Sequence, residues 1–258
     1  VGALNPDRLA RIKSRYDSLE EEDMDIPRFH YGTHYSSAGT VLFYMIRAEP
    51  YTTQGILLQD GKFDPPDRMF HSIPDTWEGC LNNDADVKEL IPEFFYMPEM
   101  FVNSSNLNLG RKQKGDKLND VILPPWASSA EEFVRINRAA LESEYVSAHL
   151  PAWIDLIFGV KQLGEAAAEA CNLFFHLTYE DAVDIDAIED PNTREATLAQ
   201  IEHFGQTPSQ LLTVPHTARS SADDAVTSIF SRLNFVQLYN HNRVTAKSRL
   251  DGTNDNPV

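Results

Sequence analysis

The sequence predicts a mainly α-helical fold in which helices pack around a core of extended, irregular segments. Two observations lead to this prediction. Several apolar stripes with helical spacing begin at residue types that commonly cap helix N-termini. The proline-rich segments between those stripes are too apolar and too aromatic to lie in solvent. With 258 residues, 42% of them apolar, the chain can form one large domain or two small ones.

The first helix is predicted to begin at Asn5, a good N-cap residue, with Pro6 in the first helical position. Its apolar residues recur at helical spacing and predict one buried face. They are Leu9, Ile12 and Tyr16. The acidic run at residues 20–25 follows this helix, and we interpret it as a solvated loop.

Serine pairs precede two further predicted helices. The pair at residues 36–37 comes before a segment at 38–47 that we interpret as a helix, although its apolar run also suits a strand. The pair at residues 128–129 lies three residues before two glutamates, which is a doubled capping-box pattern. The stripe that follows predicts a helix to about residue 145. It consists of Phe133, Ile136 and Ala140.

Three more helices are predicted toward the carboxyl end. A short one is expected to begin at Pro151 and end at Gly159. Another runs from about residue 165 into the apolar stretch 173–177. The last begins at Asp190, an N-cap that precedes a proline, and stops at a glycine. Its inward-facing residues are predicted to be Leu198, Ile201 and Phe204.

The segment VKELIPEFFYMPEMFV at residues 87–102 represents the irregular core. Its two prolines break a helix and also remove donors from a central strand, yet most of its residues are apolar. Segments 49–74, 91–109 and 121–126 have the same character. We therefore expect Phe94, Phe95 and Trp126 in the core. The backbone groups of these segments must then bond to side chains, helix ends or water, because a buried orphan costs about 1–3 kcal/mol.

Charge and cysteine content exclude several classes of protein. The net charge of −17 argues against a nucleic-acid partner and against broad adhesion to anionic membranes. Cys80 and Cys171 form no metal-binding or redox motif and suit a reducing, cytosolic compartment. No apolar run approaches the roughly 20 residues that span a bilayer. The missing initiator methionine suggests a piece of a longer chain.

No catalytic or cofactor-binding pattern emerges. His30 and His34 have the spacing of some zinc ligands, but Tyr31 replaces the required glutamate, so hydrogen bonding or packing is favoured over metal ligation. A hydrolase that uses these histidines with Ser36 or Ser37 is the rival hypothesis, although the nucleophile-elbow motif is absent. The acidic run 181–190 lacks the glycine of a calcium loop. The sequence thus predicts no enzyme, no metal and no cofactor.

The segment at residues 110–117 resembles a phosphate loop only in its glycine spacing. Asp116 stands where the phosphate-binding lysine should be and would repel phosphate. The segment is nevertheless the densest basic cluster of the chain, which could be a solvated loop or a contact for anionic lipid or an acidic peptide. Its cations are Arg111, Lys112, Lys114 and Lys117.

Residues 145–164 combine a predicted core with candidate partner contacts. Trp153, Leu156 and Ile157 are expected to be buried, and Trp153→Ala is expected to cost about 3–5 kcal/mol. Three polar residues nearby are interaction candidates: Asp155, Lys161 and Gln162. After residue 216 the chain becomes polar, so 217–258 is predicted to be a linker or tail with one short apolar stripe. That stripe consists of Ile229, Leu233 and Val236.

Several motifs together resemble the BEACH domain of neurobeachin-like and LYST-like proteins. They are HYGTHYSS (30–37), FHSI (70–73), DVKELIPEFFYMPE (86–99), DVILPPWA (120–127), ALESEYVSAHL (140–150), WIDLIFGVKQLG (153–164) and HFGQTPSQLL with PH (203–216). The resemblance extends from about Gly2 to His216 and is specific. Family domains begin upstream of this start, so residues 1–216 resemble the later, larger part of one.

The resemblance implies helices around irregular core segments, with no catalytic motif. It also implies a preceding pleckstrin-homology-like domain and following WD repeats in the same protein. Family members are large cytosolic scaffolds of membrane and vesicle trafficking, lysosome or endosome organisation and autophagy. We therefore expect a non-catalytic scaffold domain that contacts those neighbours and other trafficking proteins. The expected location is cytoplasmic, with possible peripheral contact to endosomal, lysosomal or other intracellular membranes. The alternative is a peripheral module that binds anionic lipid.

Overall fold

The computed structural model describes residues 3–19 and 26–220. By its contacts the chain divides into two units, Val1–His216 and Thr217–Val258, and the fold described below is that of the first. Two predictions concern residues outside the described ranges: the solvated acidic loop at 20–25, and the apolar stripe of the tail with Ile229, Leu233 and Val236.

Helices dominate the described residues, which confirms the mainly α-helical prediction. Eight α-helices lie there: α1 (Pro6–Ser18), α2 (Ala38–Met45), α3 (Tyr51–Leu58), α4 (Ile73–Asn82), α5 (Ala130–Leu141), α6 (Glu144–Ile157), α7 (Gly164–Glu169) and α8 (Pro191–Phe204). Short 3₁₀ helices lie at Pro66–Arg68, Pro92–Phe95, Pro98–Phe101, His176–Thr178 and Ile185–Ala187. Extended pairing in these ranges is limited to isolated bridges, such as Tyr31 with Phe174.

The predicted helix caps are present. The side chain of Asn5 accepts hydrogen bonds from the first amides of α1. Ser129 accepts from the amide of Glu132 at 3.2 Å, and the Glu132 carboxylate accepts in return from Ser128. Asp190 caps α8 through the amide of Thr193. Local signals therefore located these three starts correctly.

Prolines start helices where the sequence was interpreted as irregular. Helix α3 follows Pro50, and α4 has Pro74 in its first turn with Ser72 as its N-cap. A proline is tolerated at these positions because the first amides of a helix have no partner within it. The prediction of irregular chain over 49–74 is therefore wrong for these two helices.

Other helix boundaries also differ from prediction. Helix α5 ends at Leu141, and α6 begins three residues later, at Glu144, with Ser143 as its N-cap. Pro151 lies inside α6 rather than at the start of a separate helix. Helix α7 ends at Glu169, and the positive φ of 52° at Cys171 turns the chain away from further helix. The stretch 173–177 is accordingly extended and then 3₁₀-helical.

The largest core cluster is built on the proline-interrupted segment. Phe94 is 2% exposed and contacts aromatic rings from several directions, with centroid distances of 4.9–6.4 Å. These neighbours come from α2, the chain before α4, the 3₁₀ helix Pro98–Phe101 and α5. They are Tyr44, Phe70, Phe101 and Phe133. The prediction that 87–102 is buried irregular core is confirmed for Phe94, while Phe95 is partly buried.

Side chains supply many of the hydrogen bonds that the irregular backbone cannot make with itself. The buried Arg47 donates to the carbonyls of Phe70 and Asn119 at 2.6 and 2.9 Å. Arg8, which is 3% exposed, donates in the same way to Cys80 and Asp86. A guanidinium suits this role because its donors form a fixed fork and it is always charged.

Two tryptophans expected in the core lie at the surface. Trp126 is 52% exposed, although one face of its indole stacks on Phe133 at 5.3 Å. Trp153 is 53% exposed. Since so much of the Trp153 side chain is already in water, Trp153→Ala cannot leave the full cavity on which the predicted 3–5 kcal/mol depended. Two of the three predicted inward residues of α8, Leu198 and Ile201, are also exposed at 48% and 36%, whereas Phe204 is partly buried.

Candidate functional site

The most prominent exposed surface is one side of helix α6. Its exposed residues after Glu144 are Tyr145, Ala148, His149, Leu150, Ala152 and Trp153, and we call them the α6 face. Tyr145 is 73% exposed and its ring lies 4.2 Å from that of His149. No acidic residue, lysine or arginine occurs from residue 145 to 154. An apolar helix side of this kind is unusual for a free surface and typical of an interface.

The end of α6 is tied to the last described segment of the domain, residues 206–216, which we call the strap. The Asp155 carboxylate accepts a hydrogen bond from the backbone amide of His216 at 2.8 Å. The carbonyl of Phe158 accepts from the amides of Leu211 and Leu212 at 2.8 and 2.9 Å. The strap therefore runs directly beside the base of the α6 face.

Gln162 and Gly159, in the turn after α6, complete this attachment. The side-chain amide of Gln162 donates to the carbonyl of Pro208 in the strap, and also to that of Ile157 at 2.9 Å. Gly159 packs so closely on Asp155 that an added Cβ would lie 2.7 Å from its Cα. The glycine is thus needed for close approach rather than for a positive φ.

These contacts correct two of the three interaction candidates. Asp155 and Gln162 are 8% and 2% exposed, and both bond to the strap, so neither presents its side chain to a partner. Their polar groups form hydrogen bonds with backbone groups of the same domain, and sequence spacing cannot reveal these bonds. Lys161 is exposed. Leu156 and Ile157 are partly buried rather than fully buried.

We expect Asp155→Ala to loosen the strap. The change removes the acceptor of the His216 amide, and loss of such a buried bond costs about 1–3 kcal/mol. Amide hydrogen exchange at residues 211–216 should become at least several-fold faster, and the urea midpoint should fall. Asp116→Ala, at an exposed aspartate elsewhere, is the control and should change neither measurement. Unchanged exchange in the Asp155 variant would contradict this account.

The basic cluster forms a small hairpin held by a bridge between Arg111 and Lys117. Lys112 is not free for a ligand, because its ammonium contacts the His71 imidazole at 2.8 Å and lies 4.0 Å from the Asp75 carboxylate. Arg111 donates to the carbonyl of Gly115 but stays exposed. The remaining exposed cations are Lys114 and Lys117, and the exposed Asp116 lies between them in sequence.

The histidine pair is used in packing and hydrogen bonding. His30 is 2% exposed, stacks on Tyr16 at 4.2 Å and accepts at Nδ1 from the amide of Leu173. His34 is also 2% exposed and bonds through Nδ1 to the Ser36 hydroxyl at 2.8 Å. Burial lowers the pKa of both imidazoles to about 4. Both rings are therefore neutral at pH 7.

The hydrolase hypothesis gains no support from this geometry. The Ser36 hydroxyl donates to the carbonyl of Gln206 at 3.0 Å and accepts from its amide at 2.9 Å. Ser37 instead bonds to the hydroxyl of Thr40. These contacts join the chain near α2 to the strap. Within residues 3–19 and 26–220, no group of three or more metal-ligating side chains comes together. The same ranges contain no helix long and apolar enough to cross a membrane.

Sequence reasoning missed the α6 face. It assigned Trp153 to the core and divided the helix at Pro151, so that Tyr145 and Trp153 were not placed on one helix. The available signal was the uncharged run from residue 145 to 154. That run predicts an apolar surface, but it cannot say whether the same domain or another molecule covers it.

Comparison with known proteins identifies the family. The Beige/BEACH domain profile matches residues 1–219. The chain is 55% identical over 222 residues to BEACH domain-containing protein A2 of Arabidopsis thaliana, and 54% identical over 222 residues to Protein SPIRRIG of the same plant. Each alignment covers 85% of this chain and 6% of the relative. BEACH domain-containing protein lvsD of Dictyostelium discoideum is 52% identical over 243 residues, which cover 92% of this chain and 8% of that protein.

The chain therefore spans less than a tenth of the length of these curated relatives. The matches extend over the irregular core, α6 and the strap, which are the parts that carry the resemblance in sequence. This protein belongs to the BEACH-domain family.

Proposed function

We propose that this BEACH domain is a non-catalytic docking domain of a larger trafficking scaffold, and that the α6 face is the docking surface. The observation that supports the proposal most directly is the exposed, uncharged side of α6 with Tyr145 and Trp153 near its two ends. Exposed tyrosine and tryptophan residues in an apolar patch are typical energetic anchors of protein interfaces.

The strap extends this surface. Leu211 and Val214 are 70% and 67% exposed, and the strap that carries them bonds to Phe158 and Asp155. The ring of Phe158 in turn lies 6.5 Å from that of Trp153. The α6 face and the strap thus form neighbouring apolar areas, and we propose that one protein partner covers both.

The proposed first partner is the pleckstrin-homology-like domain that precedes the BEACH domain in this family, with the WD repeats and other trafficking proteins as further partners. Proteins whose domains dock permanently keep such surfaces covered, whereas the separate domain leaves them in water. The proposed setting is the cytoplasm, at endosomal, lysosomal or other intracellular membranes, in traffic or autophagy.

The test is the affinity of this chain for its pleckstrin-homology-like neighbour, added as a separate protein. We expect the double variant Tyr145→Ser/Trp153→Ser to bind at least tenfold more weakly, because interface anchors commonly contribute more than about 1.4 kcal/mol. Isothermal titration calorimetry measures the change, and circular dichroism checks that the variant is folded.

Trp77→Ser provides a matched control, since Trp77 is 55% exposed but lies on α4. It should leave the affinity unchanged. Equal binding by the wild-type chain and the double variant would refute the α6 face as the docking surface. Weakening by the Trp77 variant to the same extent would refute it as well.

The alternative function is a peripheral module for anionic lipid, for which the exposed cations of the 111–117 hairpin are the relevant observation. Liposome sedimentation separates the two functions. If the hairpin binds lipid, more protein should sediment with anionic than with neutral vesicles. This difference should disappear at high salt and in a Lys114→Glu/Lys117→Glu variant. Sedimentation that ignores lipid charge and salt would remove this alternative.

A further inference from the structure

A second exposed surface is acidic, in contrast to the uncharged α6 face. It consists of helix α8 and the chain that precedes it. No residue of α8 is fully buried. The helix is attached near its start through Arg194, and at its end, where the Phe204 ring packs edge-on against Phe175 at 5.7 Å and the amide of His34 donates to the Phe204 carbonyl at 2.7 Å. The rest of the helix therefore has a free side.

An apolar groove separates α8 from the chain at residues 177–183. Its cavity has a volume of about 180 Å³, and its apolar lining comes from both sides. Leu177, Tyr179 and Val183 line it from the loop, and Ile201 lines it from the helix. Leu198 lies one turn before Ile201 on α8 and is 48% exposed, so it continues the apolar strip beyond the groove.

Glu180 and Asp181 line the groove on the loop side, and Glu195 and Glu202 lie on α8 at helical spacing from Leu198. Between residues 180 and 202 there are eight acidic side chains and one basic one. The acidic residues are Glu180, Asp181, Asp184, Asp186, Glu189, Asp190, Glu195 and Glu202. Ion pairs among the described residues include none of these eight. Arg194, the single cation, donates to the backbone carbonyls of Asp186 and Ile188.

We propose that this groove binds a basic amphipathic segment of a protein partner. Apolar residues of that segment fill the space between Ile201 and Val183, and its lysines or arginines face the carboxylates on both sides. The occupant follows from charge complementarity: carboxylates repel phosphate groups, which disfavours nucleic acid and anionic lipid as ligands. A helix is a suitable form for the segment, because helix-in-groove docking presents an apolar stripe with flanking charge.

Two features argue against a metal ion as the occupant. The carboxylates are spread along the surface, and no three of them converge in the described part of the chain. Asp184 and Asp190 already accept backbone amides as helix caps.

The experiment measures binding of a synthetic amphipathic peptide with lysines on one face and leucines on the other. A peptide with lysines replaced by glutamates and one with the same residues in scrambled order serve as comparisons. Fluorescence anisotropy gives the affinities at low and high salt. We expect tight binding only for the amphipathic basic peptide, with hydrogen-exchange protection at residues 177–183 and 198–204.

Variants separate the two contributions. Leu198→Ser/Ile201→Ser should weaken binding about tenfold at both salt concentrations. Glu195→Gln/Glu202→Gln should weaken it about threefold at low salt, and the difference should disappear at high salt, because exposed charges are screened. The matched controls are Leu57→Ser and Glu99→Gln/Glu142→Gln, at exposed positions far from α8 in sequence. They should leave the affinity unchanged.

The proposal is overturned if the scrambled peptide binds as tightly as the amphipathic one, since net charge alone would then explain binding. It is also overturned if the control variants weaken binding as much as the α8 variants do. Protection elsewhere in the chain, with none at 177–183 or 198–204, would likewise contradict it.

Discussion

Replacing Phe94 by alanine is expected to lower the free energy of unfolding by about 3–5 kcal/mol. The side chain is 2% exposed and lies at the centre of the largest core cluster. Its removal leaves the facing rings without contacts, and Pro92 and Pro98 on either side restrict how far the backbone can move to fill the space. Urea unfolding followed by circular dichroism measures the loss.

Tyr96→Ala is the matched control, because Tyr96 belongs to the same segment but is 55% exposed. We expect it to cost less than about 1 kcal/mol. Similar losses in the two variants would mean that the segment is not packed as described. A loss near zero for Phe94→Ala would show that residues 92–101 do not form the core.

Lowering the pH from 6.5 to 5 is expected to destabilise the domain through its two buried histidines. Burial, joined for His30 by the charge of Arg15, lowers the pKa of each imidazole from 6.5 to about 4 in the folded protein. In the unfolded chain the pKa is the ordinary one. Between pH 6.5 and 4 the unfolded state therefore binds protons that the folded state does not, so stability falls as the pH falls.

The expected loss between pH 6.5 and 5 is about 2 kcal/mol for each imidazole, since one pKa unit corresponds to about 1.4 kcal/mol. Unfolding free energies from urea titrations at several pH values measure this slope. His34→Gln should reduce it by about half, whereas His203→Gln, at an exposed position, should not change it. Equal slopes in wild type and His34→Gln would contradict the burial of a neutral imidazole. Keeping the pH at 5 or above avoids most carboxylate titration.

The structure explains how a domain can bury chain that forms neither helix nor sheet. Arg47 and Arg8 donate to backbone carbonyls of extended chain. The side-chain amide of Asn103 donates to the backbone carbonyl of Leu107 and to the side-chain carbonyl of Asn119. The backbone amide of Asn103 donates to the Asp120 carboxylate at 2.7 Å. Polar side chains thus replace regular ladders, which keeps the cost of orphaned backbone groups low.

Local features of the fold could be predicted from the sequence because their causes are local. A capping side chain such as Asn5, Ser129 or Asp190 reaches amides only two or three residues away, so the pattern of neighbours suffices. The burial of residues such as Ile91, Phe94 and Phe101 followed from composition, since so many apolar residues between prolines have no stable place in water. The helices after Pro50 and Pro74 were missed because a proline both interrupts a helix and begins one.

Exposure of individual residues was decided only by the tertiary structure. Trp153 and Trp126 had the chemistry of core residues, but the described domain covers only part of each side chain, so each remains about half exposed. Asp155 and Gln162 had the chemistry of contact residues, yet the strap lies over them and uses their polar groups.

By itself, the sequence determined the helical class, the caps, the irregular apolar core and the family. The tertiary structure alone decided which side of α6 faces water and which polar groups are covered by the strap. The physical reason is that a capping side chain or a local composition acts over a few residues, whereas the burial of a residue depends on segments that are distant in the sequence. The strap contacts Asp155 across 61 positions of sequence, and no local pattern records such a contact.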